Sequence, residues 1–154
     1  MADSASERRL VLAFDFGTRR IGVAVGNELL GSATQLEPLV ARDGIPDWSC
    51  VAALVEEWQP DLFVVGLPLN MDGSESEMSL RARKFGRRLH GRYGRPLEMF
   101  DERGSTREAK RIAHQAGHSG NYRRDSVDGI AAELILTGWF EYQSHGQRLH
   151  MPRP

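Results

Sequence analysis

The stretch LVLAFDF, Leu10–Phe16, most narrows what this chain can fold into. It is apolar at odd and even positions alike, so as a β-strand it has no face to offer to water. Such a strand belongs in the middle of a sheet with cover on both sides. One carboxylate, Asp15, lies near its end. A charge placed there costs free energy unless something pairs with it. Two accounts are open: Asp15 accepts hydrogen bonds from the following GTRR turn, the ordinary work of an aspartate at such a place, or it shares a cation with acids from elsewhere in the chain.

Length fits one such sheet. The 154 residues, 17.2 kDa, suit one domain with a single core. No apolar run approaches the roughly 20 residues of a membrane span. MADSASERRL lacks the apolar centre of a signal peptide, which leads us to expect a cytoplasmic protein without membrane attachment. A single cysteine, Cys50, excludes an internal disulfide and a cysteine-built zinc site. The net charge of −1 speaks against binding nucleic acid by bulk attraction, but charge distribution matters more than the sum. Between Arg81 and Arg95 stand seven Arg or Lys residues and no acid. That run is either a solvated helix face or a phosphate-binding surface.

Ile21–Gly26 reads as a second strand, close enough to the first to form an antiparallel hairpin. Ser32–Leu39 reads as a third, ended by an ARDGIPD loop. Asp47 is placed to cap a helix carrying Trp48, Val51, Ala52, Val55 and Trp58 on one face, which Gln59-Pro60 ends. DLFVVG, residues 61–66, is a buried strand, and the LPLNMDGSESEMS loop after it is longer than a bare connection needs. Met78, Ala82, Phe85 and Leu89 mark a second helix, and PLEMF a last strand. Ser105 and Glu108 form a capping-box pattern just beyond Asp101-Glu102. GHSGNYRR, residues 117–124, reads as a loop, and a final helix begins near Asp125 with Val127, Ile130, Ala131, Leu134 and Ile135 on one face. The expected organisation is an N-terminal tail over 1–9, one domain over 10–142 and a flexible C-terminal tail over 143–154. The fold class is α/β: a mixed five-stranded sheet with helices on both faces.

Three acids fall at the ends of these elements. Asp15 ends the first strand, Glu102 follows the last strand, and Asp128 lies in the first turn of the last helix. In an open α/β sheet, sites form beyond the carboxyl ends of parallel strands. Clustered carboxylates repel one another unless a cation is present, and Mg²⁺ or Mn²⁺ suits such oxygen ligands. Each acid also has a local account: a turn for Asp15, a helix dipole for Glu102 and Asp101, an N-cap arrangement for Asp128. The histidines show no metal-ligand spacing.

FDFGTRRIGVAVG, VVGLPLNMDG, DERGSTREA and VDGIAAELIL, in that order over residues 10 to 142, resemble the YqgF-type pre-16S rRNA nucleases, also described as Holliday-junction-resolvase-like proteins. The resemblance implies an RNase H-like fold, with the first three strands an antiparallel meander and strands four and five parallel to strand one. It implies metal-dependent phosphodiester hydrolysis, with two Mg²⁺ or Mn²⁺ ions, and maturation of the 5′ end of 16S rRNA on a small-subunit precursor. Asp15 matches the first-strand acid, Glu102 the acid of the DER motif and Asp128 that of the last helix; Asp101 matches the first residue of DER and stands as an assisting ligand. Asn70, Arg81, Lys84 and Arg88 become candidate substrate contacts. Arg123 and Arg124 join them, standing near Ser126, where the family commonly has a lysine. Branched DNA is the rival substrate; resolving it needs paired cuts and hence a homodimer rather than a monomer. A ribosome- or nucleic-acid-binding factor with vestigial catalysis is the rival from another class. DFGT also resembles a phosphate motif of the actin and sugar-kinase superfamily, but those enzymes enclose nucleotide between two such domains and this chain has room for one.

Overall fold

The computed structural model describes residues 9–101 and 127–150, with side chains described for 9–101 and 129–143. Strands β1 (Leu10–Asp15), β2 (Arg20–Asn27), β3 (Ser32–Arg42) and β4 (Ile45–Pro46) precede helix α1 (Trp48–Trp58). Then come β5 (Leu62–Leu67), α2 (Glu77–Tyr93), β6 (Leu97–Asp101) and α3 (Val127–His150). The sheet order is β4-β3-β2-β1-β5-β6. β1, β2 and β3 form an antiparallel meander, and β5 and β6 run parallel to β1.

One expectation is corrected: the sheet has six strands, not five. The extra strand is the two-residue β4, inside the stretch expected to be a loop. Asp43 and Gly44 both take positive φ, 51° and 81°, which lets a two-residue turn fold Ile45-Pro46 back onto Ala41-Arg42. The Asp-Gly signal stood in the sequence; the proline after it obscured a strand too short for periodicity to reveal.

β1 is central, as its unbroken apolar run requires. Alternate residues serve two cores. Leu12, Phe14 and Phe16 join Ile21, Val23, Val51, Phe63, Phe85 and Leu89 beneath α1 and α2. Val11 and Ala13 join Ala24, Leu62, Val64, Ala132, Ile135, Leu136 and Trp139 beneath α3. The first core is aromatic: Phe14 meets Phe85 edge-on at 5.5 Å, and Trp48 stacks on Phe85 at 6.0 Å.

The helices begin and end where local chemistry dictates. Asp47 caps α1 by accepting from the Ser49 N–H, and Gln59 closes it in the left-handed conformation. Ser76 and Ser79 form a reciprocal capping box on α2, and Gly94 ends it with φ of 69°. Ala52, expected on the inner face of α1, is exposed. In α3 the buried stripe is Ala131, Ala132, Ile135, Leu136, Trp139 and Phe140. Ile130 and Leu134 are only half-buried, so the face is rotated by about one residue from the expected one. α3 also continues past Tyr142 to His150. The three tryptophans pack as expected: Trp139 is buried, and Trp48 and Trp58 lie against the first core.

Candidate active site

Asp15 is the last residue of β1 and is 9% exposed. Since Val11 and Ala13 face α3, strand alternation puts Asp15 on that same face. Its cross-strand partner on β2 is Gly22. On the other side Phe14 pairs with Val65, which places Gly66 of β5 level with Asp15. Val64 faces α3, so Gly66 does too. The carboxylate is therefore flanked on both neighbouring strands by residues without side chains. Directly opposite residues carry Cβ atoms about 5 Å apart, so two ordinary residues here would crowd the carboxylate. Glycine at both removes that crowding at the carboxyl end of the parallel strands.

The N-terminus of α3 stands over this face. Gly129, in its first turn, is buried, and a Cβ there would lie 3.0 Å from the Gln35 amide carbon. Gln35 pairs with Ala24 of β2 and so looks out on the α3 side. Asp128, the residue before Gly129, is thus carried by the turn of α3 that packs on the sheet; its side chain lies outside the described residues. Trp139, two to three turns further along α3, donates its indole N–H to Glu98 of β6 at 3.0 Å. Glu98 and Phe100 are therefore the β6 residues turned toward α3, while Leu97 and Met99 pack on the α2 side. Asp101 ends β6, exposed, at an odd position in this alternation, on the side of Leu97 and Met99. Glu102 follows it directly and lies outside the described residues, as do Arg123, Arg124 and the Ser105–Glu108 pair. Among the described residues no group of three metal-ligating side chains comes together. Asp15 is the one of the three expected ligands whose side chain is described.

The groups expected to bind substrate divide. Asn70 is engaged inside its own loop: its side-chain amide donates to Ser74 Oγ at 2.9 Å, and its backbone N–H and carbonyl bond Ser74 and Gly73. Asp72 accepts from both the N–H and hydroxyl of Ser74, tightening the same turn. This loop follows β5 and rims the carboxyl end of the sheet. Arg81, Lys84 and Arg88 project from α2 and line a cleft of about 150 Å³ with Phe16, Asp43, Gly44, Ile45 and Phe85. Phe16 is the residue after Asp15, so the cleft opens beside the site on the other face of the sheet. Three others of the basic run serve the fold. Arg83 holds Glu75 at 2.8 Å, and that guanidinium keeps the Glu75 carboxyl below its usual range. Arg92 lies 4.0 Å over the Trp48 ring, and Arg95 bonds the carbonyls of Pro60 and Tyr93. Tyr93 packs edge-on against Phe63. A larger cavity of about 880 Å³ lies between α1 and the β3–β4 hairpin, lined by Val40, Ile45 and Leu54 among others; Asp15 does not border it.

The whole arrangement has counterparts. Thermus thermophilus RuvC, solved in complex with Holliday junction substrate, superimposes with a TM-score of 0.55 at 15% identity, over 89% of this chain and 96% of that one. The yeast mitochondrial Holliday junction resolvase Ydc2 does so with a TM-score of 0.51 at 11% identity, over 92% and 81%. The fold is thus RNase H-like, the architecture these resolvases share. The family model described as "RuvX: Holliday junction resolvase" matches residues 9–142, and the chain belongs to that family. A Chromohalobacter salexigens protein named "Putative pre-16S rRNA nuclease" is 75% identical over 142 residues, covering 92% of this chain and 96% of its own. Proteins of the same name from Saccharophagus degradans and Azotobacter vinelandii are each 55% identical, over 94% and 90% of this chain and 96% and 97% of theirs.

Proposed function

We propose that the chain is a metal-dependent nuclease that hydrolyses phosphodiester bonds, its substrate the 5′ region of pre-16S rRNA on a small-subunit precursor in the cytoplasm. The observation that carries this reading is the setting of Asp15: a buried carboxylate at the carboxyl end of the central strand, between two glycines, on the face where α3 begins. The name shared by relatives of 75% and 55% identity supports the substrate.

The residues suit a hard divalent cation. Asp15 supplies oxygen donors of the kind such an ion takes, and glycine on each neighbouring strand keeps a Cβ from crowding them. Asp128 is carried by the helix turn above the same face. Glu102 directly follows β6, which ends at Asp101. We assign Asp15, Glu102 and Asp128 as the ligands of Mg²⁺ or Mn²⁺, with Asp101 in an assisting role. Bound there, a pair of such ions would supply Lewis-acid stabilisation to the attacking and leaving oxygens of the displacement. The chain's own part would be to supply three carboxylates, to keep side chains away from the first of them at Gly22 and Gly66, and to present cations along the approach. Lys84 and Arg88, with Arg123 and Arg124, would contact phosphates flanking the cleaved bond, and the Asn70 loop would rim it.

Branched DNA is the second reading, favoured by the description of the family model and by the resolvases that share the fold. Purified protein incubated with precursor 16S rRNA and with a four-way DNA junction, each with Mg²⁺, Mn²⁺ or EDTA, separates the two. Our reading expects cation-dependent cutting of the RNA. Paired cuts in the junction alone, by a dimer, would replace it with the second. Tight RNA binding with no cutting under any metal would make the chain a binding factor.

A further inference from the structure

Asp43 is an acid set into a basic cleft, and the fold does not need its charge. The Asp43-Gly44 turn is held by backbone and ring contacts. The Gly44 N–H donates to the Thr18 carbonyl at 2.8 Å, and the Phe16 ring fills the place a Gly44 Cβ would take, 2.7 Å away. Both turn residues sit at positive φ, a conformation that Asn-Gly adopts as readily as Asp-Gly. Yet the Asp43 carboxylate accepts from Arg81 Nη2 at 3.0 Å, and it is the one acid among the residues lining the cleft with Arg81, Lys84 and Arg88. Those three cations stand at i, i+3 and i+7 along α2, a row along one helix side. Asp43's side chain is 80% exposed, so solvent screens the pair and an incoming anion can displace it.

Resting on the nucleic-acid reading above, we infer that this cleft is a subsite for a backbone phosphate next to the cleaved bond, and that Asp43 is a built-in competitor holding Arg81 until that phosphate arrives. Phe16 follows Asp15 and lines the cleft, so a strand whose scissile phosphate lies at Asp15 would reach the cleft by crossing the end of β1 to the α2 side. The competitor lowers the cleft's affinity for any stray phosphate while leaving Arg81 aligned. It favours long substrates, which bring several contacts, over short ones.

The test is binding without cleavage. Fluorescence anisotropy in EDTA would follow a labelled single-stranded RNA and a labelled four-way DNA junction with wild type, D43N, R81M and D43N/R81M. D43N keeps the turn chemistry, and circular dichroism verifies folding of each protein. We expect D43N to bind at least one of the two nucleic acids about 3- to 10-fold more tightly at 50 mM salt, with the log–log salt slope changed by less than about one phosphate contact, because Arg81 reaches the phosphate in both proteins. In the R81M background the same change should give less than about a twofold gain, because the competitor has lost its partner. D43G, which also fits the positive φ, should reproduce the D43N gain. Unchanged affinity in folded D43N and D43G would overturn the inference and leave the nuclease reading standing. An equal gain with and without Arg81 would overturn it too, since Asp43 would then act through net charge alone. Failure of wild type and variants to bind either nucleic acid would overturn both readings.

Discussion

The two faces of the sheet are made by the same strands and finished differently. On the α1–α2 side stand Leu12 and Phe14 of β1 and Phe16 just after it, beside Phe63 of β5, and the space above them is filled by Phe85, Trp48 and Val51. On the α3 side the same strand presents Val11, Ala13 and Asp15, beside Ala24, Gly22 and Gly66. One face uses large rings, with the basic cleft opening past Phe16 at the carboxyl end of β1. The other uses small residues that dwindle to glycine at that end, and α3 packs on it from its first turn, with Gly129, Ala131 and Ala132 buried there and Ile135, Leu136 and Trp139 further along. A carboxylate on the first face would be sealed in hydrocarbon at a cost of several kcal/mol. On the second face its neighbours across the sheet, Gly22 and Gly66, bring no side chain against it. With Asp15 a metal ligand, as proposed, stability and chemistry would be separated by parity within a single strand.

Neighbouring substitutions can break that separation. Asp15→Asn should lower metal-dependent cleavage by about 10³-fold or more, as loss of a metal ligand removes several kcal/mol of transition-state stabilisation, while the thermal midpoint moves by only a few degrees. Phe14→Ala, one residue away, should do the reverse. It should cost about 3–5 kcal/mol of stability in urea denaturation through the cavity left among Phe63 and Phe85, with the remaining folded fraction cleaving at a near-normal rate. If Asp15→Asn unfolded the protein and left the activity of the folded fraction intact, the two faces would not differ as described. Gly66→Ala sharpens the point with a smaller change. A methyl beside Asp15 should reduce cleavage about tenfold, equivalent to about 1.4 kcal/mol, beyond any effect of lost stability, as read from kcat at a temperature where circular dichroism shows full folding.

Much of the fold was legible in the chain because its signals are local or periodic. Leu10–Phe16 and Leu62–Leu67 are apolar throughout, which marks central strands, and Asp47, Pro60 and Gly94 punctuate the helices where residues of those kinds ordinarily do. The hairpin β3–β4 was less legible because two residues carry no period. The buried stripe of α3 was displaced because Gly129 and Gln35, a contact between residues far apart in sequence, set how the helix rolls on the sheet. The basic run of α2 read as one surface, yet Arg83, Arg92 and Arg95 each have partners in other elements. Composition can reveal charge, but not which charges the fold has already used. For the site, sequence gave the residue types and strand ends. Only the register revealed that Gly22 and Gly66 flank Asp15, since a glycine's meaning depends on what stands beside it across the sheet.

The central claim is that the Asp15 carboxylate is a divalent-cation ligand. Its most direct test is Mn²⁺ binding to wild type and to Asp15→Asn, followed by the loss of free-ion signal in electron paramagnetic resonance, with Mg²⁺ as competitor and circular dichroism as the check on folding. The account predicts saturable, Mg²⁺-competed Mn²⁺ binding by wild type and its loss, by at least about tenfold in affinity, in the folded variant. Equal Mn²⁺ affinity in the two proteins would contradict it.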